Sequence, residues 1–334
     1  MRYIVYGAGA IGGLAGGRMA ESGADVVLIA RGAHAAAIAA DGLTVVSGEG
    51  TRRIDVPVVT DPAGTRIEPG DVVLMGVKSH QTAAALDALQ PVAPPQTVIA
   101  CLQNGVDNER ASLRLFPRVY GVCVMCPATH LEPGVVQQDS VPVPGLLDIG
   151  RFPGTTAPVP DGPATTADPT RSTIAEAFRA AGFDSVERDD IMRWKYRKLL
   201  MNVGNAAQAL LAGEDGIAVA DAAAAEAETC LQAAGIDCAS EDEDRARRAR
   251  IMRIVDIPGH PRGGGSSWQS LRRGTGSIES DYLNGEISLL GRLHGVATPI
   301  NDLLRHLATE AARRGDPPGT MTGAEFEARL TPAE

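Results

Sequence analysis

Lysine is rare in this chain, and two of its lysines fall within the twelve residues "WKYRKLLMNVGN" (194–205). The sequence has 31 Lys and Arg residues, of which only Lys78, Lys195 and Lys198 are lysines. Arginine carries the basic charge everywhere else. A lysine amine can release its proton near neutral pH when burial lowers its pKa, whereas a guanidinium stays protonated. Lysine in this segment therefore indicates acid–base chemistry.

A helix through this segment would place one amine and two amides on one face. Lys198, Asn202 and Asn205 stand at positions i, i+4 and i+7, which share a helix face. The pattern predicts that Lys198 is a buried proton donor among apolar neighbours. Lys195 would face away, with its ammonium reaching solvent. The alternative is that Lys198 is a solvated surface lysine and the asparagines are polar spacers.

A glycine-rich turn near the N-terminus has the spacing of a dinucleotide-binding motif. Gly7 would permit a tight turn, Gly9 would let the backbone approach a pyrophosphate, and Gly12 would let the helix pack on the strand. The turn follows an apolar strand-like run, begins a helix-like segment and leads to a second run, "DVVLIA". We expect the cofactor phosphates at this turn; the alternative is a glycine turn without a ligand. The predicted cofactor-binding residues here are Gly7, Ala8, Gly9, Ala10, Ile11 and Gly12.

The end of the second apolar run indicates which dinucleotide binds. NAD-binding proteins usually have an acidic residue there, which accepts a hydrogen bond from the ribose 2′-hydroxyl. This chain has "LIARG", with Arg31 and no acid. A guanidinium can bind a 2′-phosphate through two donors, so Arg31 predicts NADP(H). The alternative is a solvated surface arginine.

Two further polar residues follow apolar runs that we predict to be strands. Lys78 comes after "DVVLMGV", and Asn104 comes after "QTVIACLQ". Ligands of open α/β sheets bind at the carboxyl ends of the strands, so Lys78 and Asn104 are expected at the binding site. His80 is a candidate general base beside Lys78, with an ordinary surface histidine as the alternative.

The pattern of elements predicts an α/β fold with two domains. Apolar strands alternate with helices in the first half, which indicates a parallel sheet in a Rossmann-type dinucleotide-binding domain. No strand is expected after residue 190, so an all-α C-terminal domain follows. The Pro- and Thr-rich segment 153–170 is expected to be a surface loop. The expected helices are 190–212, 215–234, 240–257, 275–294 and 300–313. The expected divisions are 1–189 for NADP binding, 190–315 for substrate and catalysis, and 316–334 as a loosely ordered tail.

Composition narrows the function classes. The formal charge of −10 argues against nucleic acid or an anionic membrane as the partner. An odd number of cysteines, 5, favours reduced thiols, and the Cys123–Cys126 pair lacks the second ligand pair of a zinc site. The N-terminus has no signal-peptide pattern. We expect a cytoplasmic protein with a small-molecule substrate and no metal, in which apolar helix faces would allow a homodimer.

Three blocks together resemble the ketopantoate reductase (2-dehydropantoate 2-reductase) family. They are "GAGAIGG" with the later Arg31, "RWKYRKLLMN", and "SSWQSLRRGTGSIESDYLNG". The resemblance covers about residues 1–313. It implies NADPH-dependent reduction of a 2-keto acid, ketopantoate above all, to the hydroxy acid pantoate in pantothenate biosynthesis.

The resemblance also implies roles for individual residues. Lys198 would be the general acid, Glu279 would bind a substrate hydroxyl or order the cofactor, and Asn104 would touch the reacting centre. Ser267 would hold the substrate carboxylate, and Asn202 would hydrogen-bond the substrate. Asn205 is also expected to bind the substrate. The expected cofactor-binding residues, besides Arg31 and the glycine turn, are Lys78, Asn104 and Glu279.

The chain departs from the family pattern on the substrate side. The second amide stands at Asn205 rather than at position 206, which is Ala206, and Ser270 replaces an acidic residue. Two other functions therefore stay open. One is a related 2-oxo acid or opine-type oxidoreductase with His80 or His130 as the catalytic histidine. The other is a non-catalytic NADP-binding protein.

Overall fold

The computed structural model describes residues 1–154, 168–260 and 262–330, so most of the expected surface loop at 153–170 lies outside the described residues. The chain forms two compact units, which we describe separately. The first comprises Met1–Lys195 and Ser240–Arg262, and the second comprises Tyr196–Ala239 and Gly263–Glu334. The functional division at residue 190 stays a prediction.

The secondary structure alternates in the first half and is mainly helical afterwards. The strands are β1 (Tyr3–Tyr6), β2 (Val26–Ile29), β3 (Leu43–Ser47), β4 (Gly50–Ile54), β5 (Val58–Val59), β6 (Val72–Met75), β7 (Val98–Cys101), β8 (Arg118–Met125), β9 (Ala128–Thr129), β10 (Val135–Gln138), β11 (Ser140–Val141), β12 (Leu146–Phe152) and β13 (Arg253–Ile254). The helices are α1 (Ala10–Glu21), α2 (Gly32–Asp41), α3 (Thr82–Leu89), α4 (Asn108–Leu113), α5 (Pro169–Ala180), α6 (Ile191–Asn202), α7 (Gly204–Leu210), α8 (Gly213–Ala233), α9 (Glu241–Ile251), α10 (Ser266–Arg273), α11 (Asn284–His294), α12 (Pro299–Arg314) and α13 (Gly323–Leu330).

A seven-stranded sheet forms the centre of the first unit, in the order β12-β8-β7-β6-β1-β2-β5. The strands from β8 to β5 run parallel, and β12 pairs with β8 in the antiparallel direction. Strands β1, β2, β6 and β7 are buried at every position, because apolar clusters cover both faces of the sheet. The predicted parallel sheet is confirmed.

Two smaller sheets complete the first unit. One has the order β4-β3-β10-β9, and β10 pairs parallel with β3 and antiparallel with β9. The other pairs β11 with β13, so the prediction of no strand after residue 190 is wrong. Strand β13 is only two residues long, which leaves no periodic signal in the sequence. Helix α9 belongs to this unit because Arg247 forms ion pairs with Asp148 and Asp184.

The second unit is helical, and it differs from the sequence prediction in four places. The expected helix 275–294 begins only at Asn284, where α11 starts. The predicted helix 190–212 is interrupted at Val203, between α6 and α7. Helix α10 occupies 266–273, where no helix was expected. The predicted tail contains α13, in which Phe326 is buried. Over the part of the chain that the structure describes, no helix has both the length and the apolar character of a membrane span.

Candidate active site

Four neighbouring strands of the first unit bring predicted cofactor-binding residues to one edge of the sheet. Strands β2, β1, β6 and β7 are adjacent and parallel, so their carboxyl ends lie side by side. Arg31 follows β2, Gly7 follows β1, Lys78 follows β6 and Asn104 follows β7. This is the edge at which open α/β sheets bind their ligands.

The glycine turn has the backbone conformation that a phosphate-binding loop needs. Gly7 has a φ of 103°, and a Cβ there would lie 2.6 Å from the backbone nitrogen of Val77. A Cβ on Gly12 would collide with the carbonyl oxygen of Gly7, whereas a Cβ on Gly9 would meet no atom within 4 Å. Gly9 is the N-cap of α1 and offers no side chain to cap it. The first and last glycines are thus required by packing, and the middle one leaves room for a ligand at a positive helix end.

Arg31 is positioned at the start of α2 and next to the end of β1. It is exposed, it is the N-cap of α2, and its Nη2 donates to the hydroxyl oxygen of Tyr6 at 3.4 Å. The guanidinium therefore lies at the sheet edge and remains accessible to an anion.

A buried hydrogen-bond network fixes the loops that carry Lys78 and Asn104. The Asn108 amide donates from Nδ2 to the Asn104 carbonyl oxygen at 3.0 Å and to the Ser79 hydroxyl at 3.1 Å. Thr82 donates to Asn108 Oδ1 at 2.8 Å, and Gln103 donates to the Thr82 hydroxyl at 2.7 Å. Buried side chains therefore hold the chain at Asn104 and at Ser79, the residue after Lys78, by hydrogen bonds. Lys78 and Asn104 themselves are partly exposed.

Lys195 is buried, so the prediction that its ammonium reaches solvent is wrong. The residue is 2% exposed, and its Nζ lies 2.5 Å from Glu109 Oε1. It also donates to the carbonyl oxygen of Gln103 at 2.9 Å. Glu109 is completely buried, and desolvation raises the pKa of its carboxyl while the Lys195 charge opposes that shift. The charge partner of Lys195 is therefore a buried carboxylate on α4, which the sequence around Lys195 does not indicate.

Lys198 lies one turn farther along α6, and the residue is partly exposed rather than fully buried as expected. Asn202 is 4% exposed, and its Nδ2 has no hydrogen-bond partner among residues 1–154, 168–260 and 262–330. Asn205 donates from its own Nδ2 to Asn202 Oδ1 at 3.4 Å. The two amides are in contact, but Asn202 ends α6 and Asn205 lies in α7, so the expected single helix through both residues is wrong.

A second buried amide pair holds the interruption between α6 and α7. Asn284 donates from Nδ2 to the Val203 carbonyl oxygen at 2.9 Å and to Asn301 Oδ1 at 3.0 Å. Asn301 in turn donates to Ala223 and to Glu226, each at 2.9 Å. The Asn284 amide thus donates to a helix carbonyl oxygen that would otherwise be buried without a partner.

The serine and glutamate of the third block also belong to the second unit. Ser267 is 2% exposed in the first turn of α10, and Gly265, the N-cap of that helix, lies against the side-chain oxygen of Asn205. Glu279 is 7% exposed. Burial lowers the pKa of Arg273, and the charge of Glu279 opposes this shift, which places the two in electrostatic contact. The N-cap of the helix that carries Ser267 therefore lies near Asn205, while Glu279 has a cationic neighbour.

Sequence reasoning missed the roles of Glu109, Asn284 and His34. Each contacts a polar group on a segment far away in the sequence. Of the two histidines considered as alternatives, His130 has its Nδ1 2.9 Å from the Val135 carbonyl oxygen, and His80 is partly exposed.

Neither a metal cluster nor a disulfide is part of the described structure. Within residues 1–154, 168–260 and 262–330, no group of three or more His, Cys, Asp or Glu side chains is arranged to hold a metal ion. Neither Cys123 nor Cys126 takes part in a disulfide among the described residues, and Cys123 is buried.

Comparison with known proteins gives consistent matches along most of the chain. The family "Ketopantoate reductase PanE/ApbA" matches residues 3–154, and its C-terminal counterpart, "Ketopantoate reductase PanE/ApbA C terminal", matches 190–312. The 2-dehydropantoate 2-reductase of Halobacterium salinarum is 29% identical over 94% of this chain and 100% of its own length. The enzyme of that name from Mycobacterium tuberculosis (strain H37Rv) is 30% identical over 79% of this chain and 82% of its own length.

Solved structures share the fold over nearly the whole chain. The crystal structure of a PanE/ApbA family ketopantoate reductase from Ralstonia eutropha JMP134 matches with a TM-score of 0.74 and 28% identity, over 94% of this chain and 99% of its own. A ternary structure of D-mandelate dehydrogenase with NADH and anilino(oxo)acetate has a TM-score of 0.74 at 21% identity, over 95% and 100% of the two chains. The second similarity concerns the fold alone. Because the family matches cover both parts of the chain, the protein belongs to the ketopantoate reductase family.

Proposed function

We propose that this protein reduces 2-dehydropantoate (ketopantoate) to pantoate with NADPH as the hydride donor. Support comes from family membership and from full-length relatives that bear the name 2-dehydropantoate 2-reductase. The nicotinamide supplies a hydride to the carbonyl carbon. The protein must therefore supply one proton to the carbonyl oxygen and must bind a carboxylate.

The observation that carries this proposal is the unsatisfied amide of Asn202. A buried donor without a partner costs about 1–3 kcal/mol, so native proteins rarely retain one without use. Asn202 Nδ2 is such a donor among the described residues, and it lies one helical turn after Lys198. A keto or carboxylate oxygen of the substrate would satisfy this donor and would bring the carbonyl to the amine.

The remaining roles follow from residue chemistry. Lys198 is the general acid, which donates a proton to the carbonyl oxygen as the hydride arrives. Ser267 and Asn205 bind the substrate with Asn202. Glu279 binds a substrate hydroxyl or orders the cofactor, and Asn104 contacts the reacting centre.

Cofactor choice is a separate part of the proposal. Arg31 is exposed at the end of β2, no acid stands beside it in "LIARG", and a guanidinium binds a 2′-phosphate well. We therefore propose NADP(H), held by Arg31, Lys78 and the turn from Gly7 to Gly12. The structurally similar D-mandelate dehydrogenase was solved with NADH, so both dinucleotides belong in the test.

The test follows NADPH absorbance with purified protein and a panel of 2-keto acids that includes ketopantoate and benzoylformate. We expect turnover of ketopantoate, a higher kcat/KM with NADPH than with NADH, and loss of that cofactor preference in Arg31→Ala. Arg66→Ala, at an exposed arginine outside the strand edge, is the matched control. Preference for another 2-keto acid would transfer the proposal to that substrate class.

Two outcomes would overturn the proposed reaction. Loss of turnover in His80→Gln combined with retention in Lys198→Ala would favour an opine-type or hydroxy-acid dehydrogenase with a catalytic histidine. Tight NADPH binding without oxidation by any 2-keto acid would favour a non-catalytic NADP-binding protein.

A further inference from the structure

His34 connects the glycine turn to a distant segment of the first unit. Its Nε2 lies 2.7 Å from the carbonyl oxygen of Ala8, the residue between the first two glycines of the turn. Its Nδ1 accepts a hydrogen bond from the backbone N–H of Gly134 at 2.8 Å. The imidazole also packs against His130, with the ring centroids 4.2 Å apart.

These two contacts fix the tautomer of His34. Because the Gly134 N–H can only donate, Nδ1 must be the acceptor, and the ring proton must therefore be on Nε2. The Nε2–H then donates to the Ala8 carbonyl oxygen. A second proton on Nδ1 would face the Gly134 N–H and be repelled by it. Burial also lowers the pKa of His34, so both effects disfavour the charged imidazolium. The neutral donor form is the one that this surrounding stabilises.

Holding the Ala8 carbonyl also orients the next amide. A trans peptide is planar, and its C=O and N–H point in opposite directions. The bond from His34 therefore directs the Gly9 N–H away from the imidazole. Gly9 is the N-cap of α1, and a Cβ on this residue would meet no atom within 4 Å.

Glycine makes this peptide plane easy to invert. A flip of the Ala8–Gly9 peptide changes ψ of Ala8 and φ of Gly9, and glycine tolerates positive φ without a steric penalty. The flipped plane would point the Ala8 carbonyl oxygen to where the N–H had been. An oxygen there would repel a phosphate that the N–H would otherwise bind.

We propose that His34 is a positioning residue that locks the Ala8–Gly9 peptide in the orientation that binds a dinucleotide pyrophosphate. The inference rests on the dinucleotide site of the proposed function, but it requires no particular substrate. His34 itself does not contact the cofactor in this account. It acts through the peptide plane, and the bond to Gly134 holds the ring in place.

Side-chain length allows the two bonds of His34 to be tested separately. The amide nitrogen of glutamine and Nε2 of histidine are both four bonds from Cα. His34→Gln can therefore keep the hydrogen bond to the Ala8 carbonyl oxygen. Asparagine has its amide oxygen three bonds from Cα, as His Nδ1 is, so His34→Asn can keep only the acceptor for Gly134. His34→Leu keeps neither bond. Dissociation constants for NADPH and melting temperatures are measured for the wild type and the three variants.

We expect His34→Leu and His34→Asn to raise the dissociation constant of NADPH about tenfold. This is the size of effect that loss of one ordinary hydrogen bond has on binding. His34→Gln is expected to stay within about threefold of the wild type. Melting temperature should not follow this order, because Asn keeps a hydrogen bond that Gln loses. A merely structural role would make NADPH affinity fall together with the melting temperature. A positioning role predicts that the two quantities rank the variants differently.

Three results would overturn the inference: wild-type affinity in His34→Leu, equal affinity in the Asn and Gln variants, or losses of affinity that simply follow the melting temperature. A wild-type protein that binds neither NADPH nor NADH overturns it together with the cofactor proposal. A wild-type protein that binds NADPH but reduces no 2-keto acid overturns only the proposed reaction, and the binding comparison then decides on His34.

Discussion

The two lysines of α6 lie one turn apart and have opposite surroundings. Lys195 is 2% exposed and is paired with the buried carboxylate of Glu109 at 2.5 Å. Lys198 is partly exposed and lies one turn before Asn202, the last residue of α6, whose side chain accepts a hydrogen bond from Asn205 in α7. The first lysine belongs to the unit with the parallel sheet, and the second belongs to the helical unit.

The difference shows what burial of an amine requires. Removing an ammonium from water is costly unless an opposite charge lies nearby, and Glu109 provides that charge for Lys195. A proton donor must instead reach its substrate and regain its proton after each turnover. Partial exposure suits that task, so Lys198 fits catalysis and Lys195 fits structure.

The largest effect should follow from removal of the Lys198 amine. We expect Lys198→Ala to lower kcat by roughly 10²–10⁴-fold, the usual contribution of a positioned general acid. Its melting temperature should stay close to that of the wild type because the side chain is partly exposed. Lys198→Arg is the matched control, and it should remain slow because a guanidinium does not release its proton. Wild-type kcat in either variant would remove Lys198 from the chemistry.

Removal of the Lys195 amine should affect folding rather than chemistry. Lys195→Met leaves Glu109 buried without its charge partner, so we expect the free energy of unfolding to fall by about 3–5 kcal/mol. Denaturant unfolding measures this loss. The double variant Lys195→Met/Glu109→Gln removes both charges and should recover most of the stability. A single variant as stable as the wild type would show that the pair contributes little.

The amide beside Lys198 should affect substrate binding. We expect Asn202→Ala to raise KM for the 2-keto acid about tenfold, because one hydrogen bond to a charged substrate is lost. Stability should change only modestly, because Nδ2 has no partner among the described residues and the one bond lost, from Asn205 to Oδ1, is long at 3.4 Å. Asn284→Ala provides the contrast: it removes the bond to the Val203 carbonyl oxygen and should lower stability. Steady-state kinetics and melting temperatures of both variants measure the two effects. A destabilised Asn202→Ala protein with wild-type KM would contradict the prediction.

The smallest effect should appear in the pH dependence of stability. Burial raises the pKa of Glu109 in the folded state, so the folded protein binds more protons than the unfolded chain at pH values just above the usual carboxyl pKa. Stability should therefore fall as pH rises through that range, with a slope of at most about 1.4 kcal/mol per pH unit. Glu109→Gln should lack this contribution. Unfolding curves of both proteins from mildly acidic to neutral pH measure the difference, and identical slopes would contradict it.

Local patterns were sufficient to predict the sheet and the glycine turn. The apolar runs ending near Tyr6, Ile29, Met75 and Cys101 form adjacent parallel strands, because each run carries its own signal. The prediction failed where a residue depends on a distant partner. The burial of Lys195 depends on Glu109, 86 positions earlier, since 195 − 109 = 86.

The interruption of the predicted 190–212 helix has a similar origin. Its Val203 carbonyl oxygen accepts a hydrogen bond from Asn284, 81 residues later in the chain. Helical periodicity continues through the segment and gives no sign of this contact. The site residues were identified by type and spacing, but their burial was determined by contacts that a single sequence does not contain.

The most direct test of the assignment compares NADPH oxidation by ketopantoate in three proteins under one set of conditions. They are the wild type, Lys198→Ala, and the double variant Lys195→Met/Glu109→Gln. The account predicts turnover by the wild type, a rate at least about 100-fold lower in Lys198→Ala, and a rate within about tenfold of the wild type in the double variant. An active Lys198→Ala protein beside an inactive, folded double variant would contradict it and would assign the proton to Lys195.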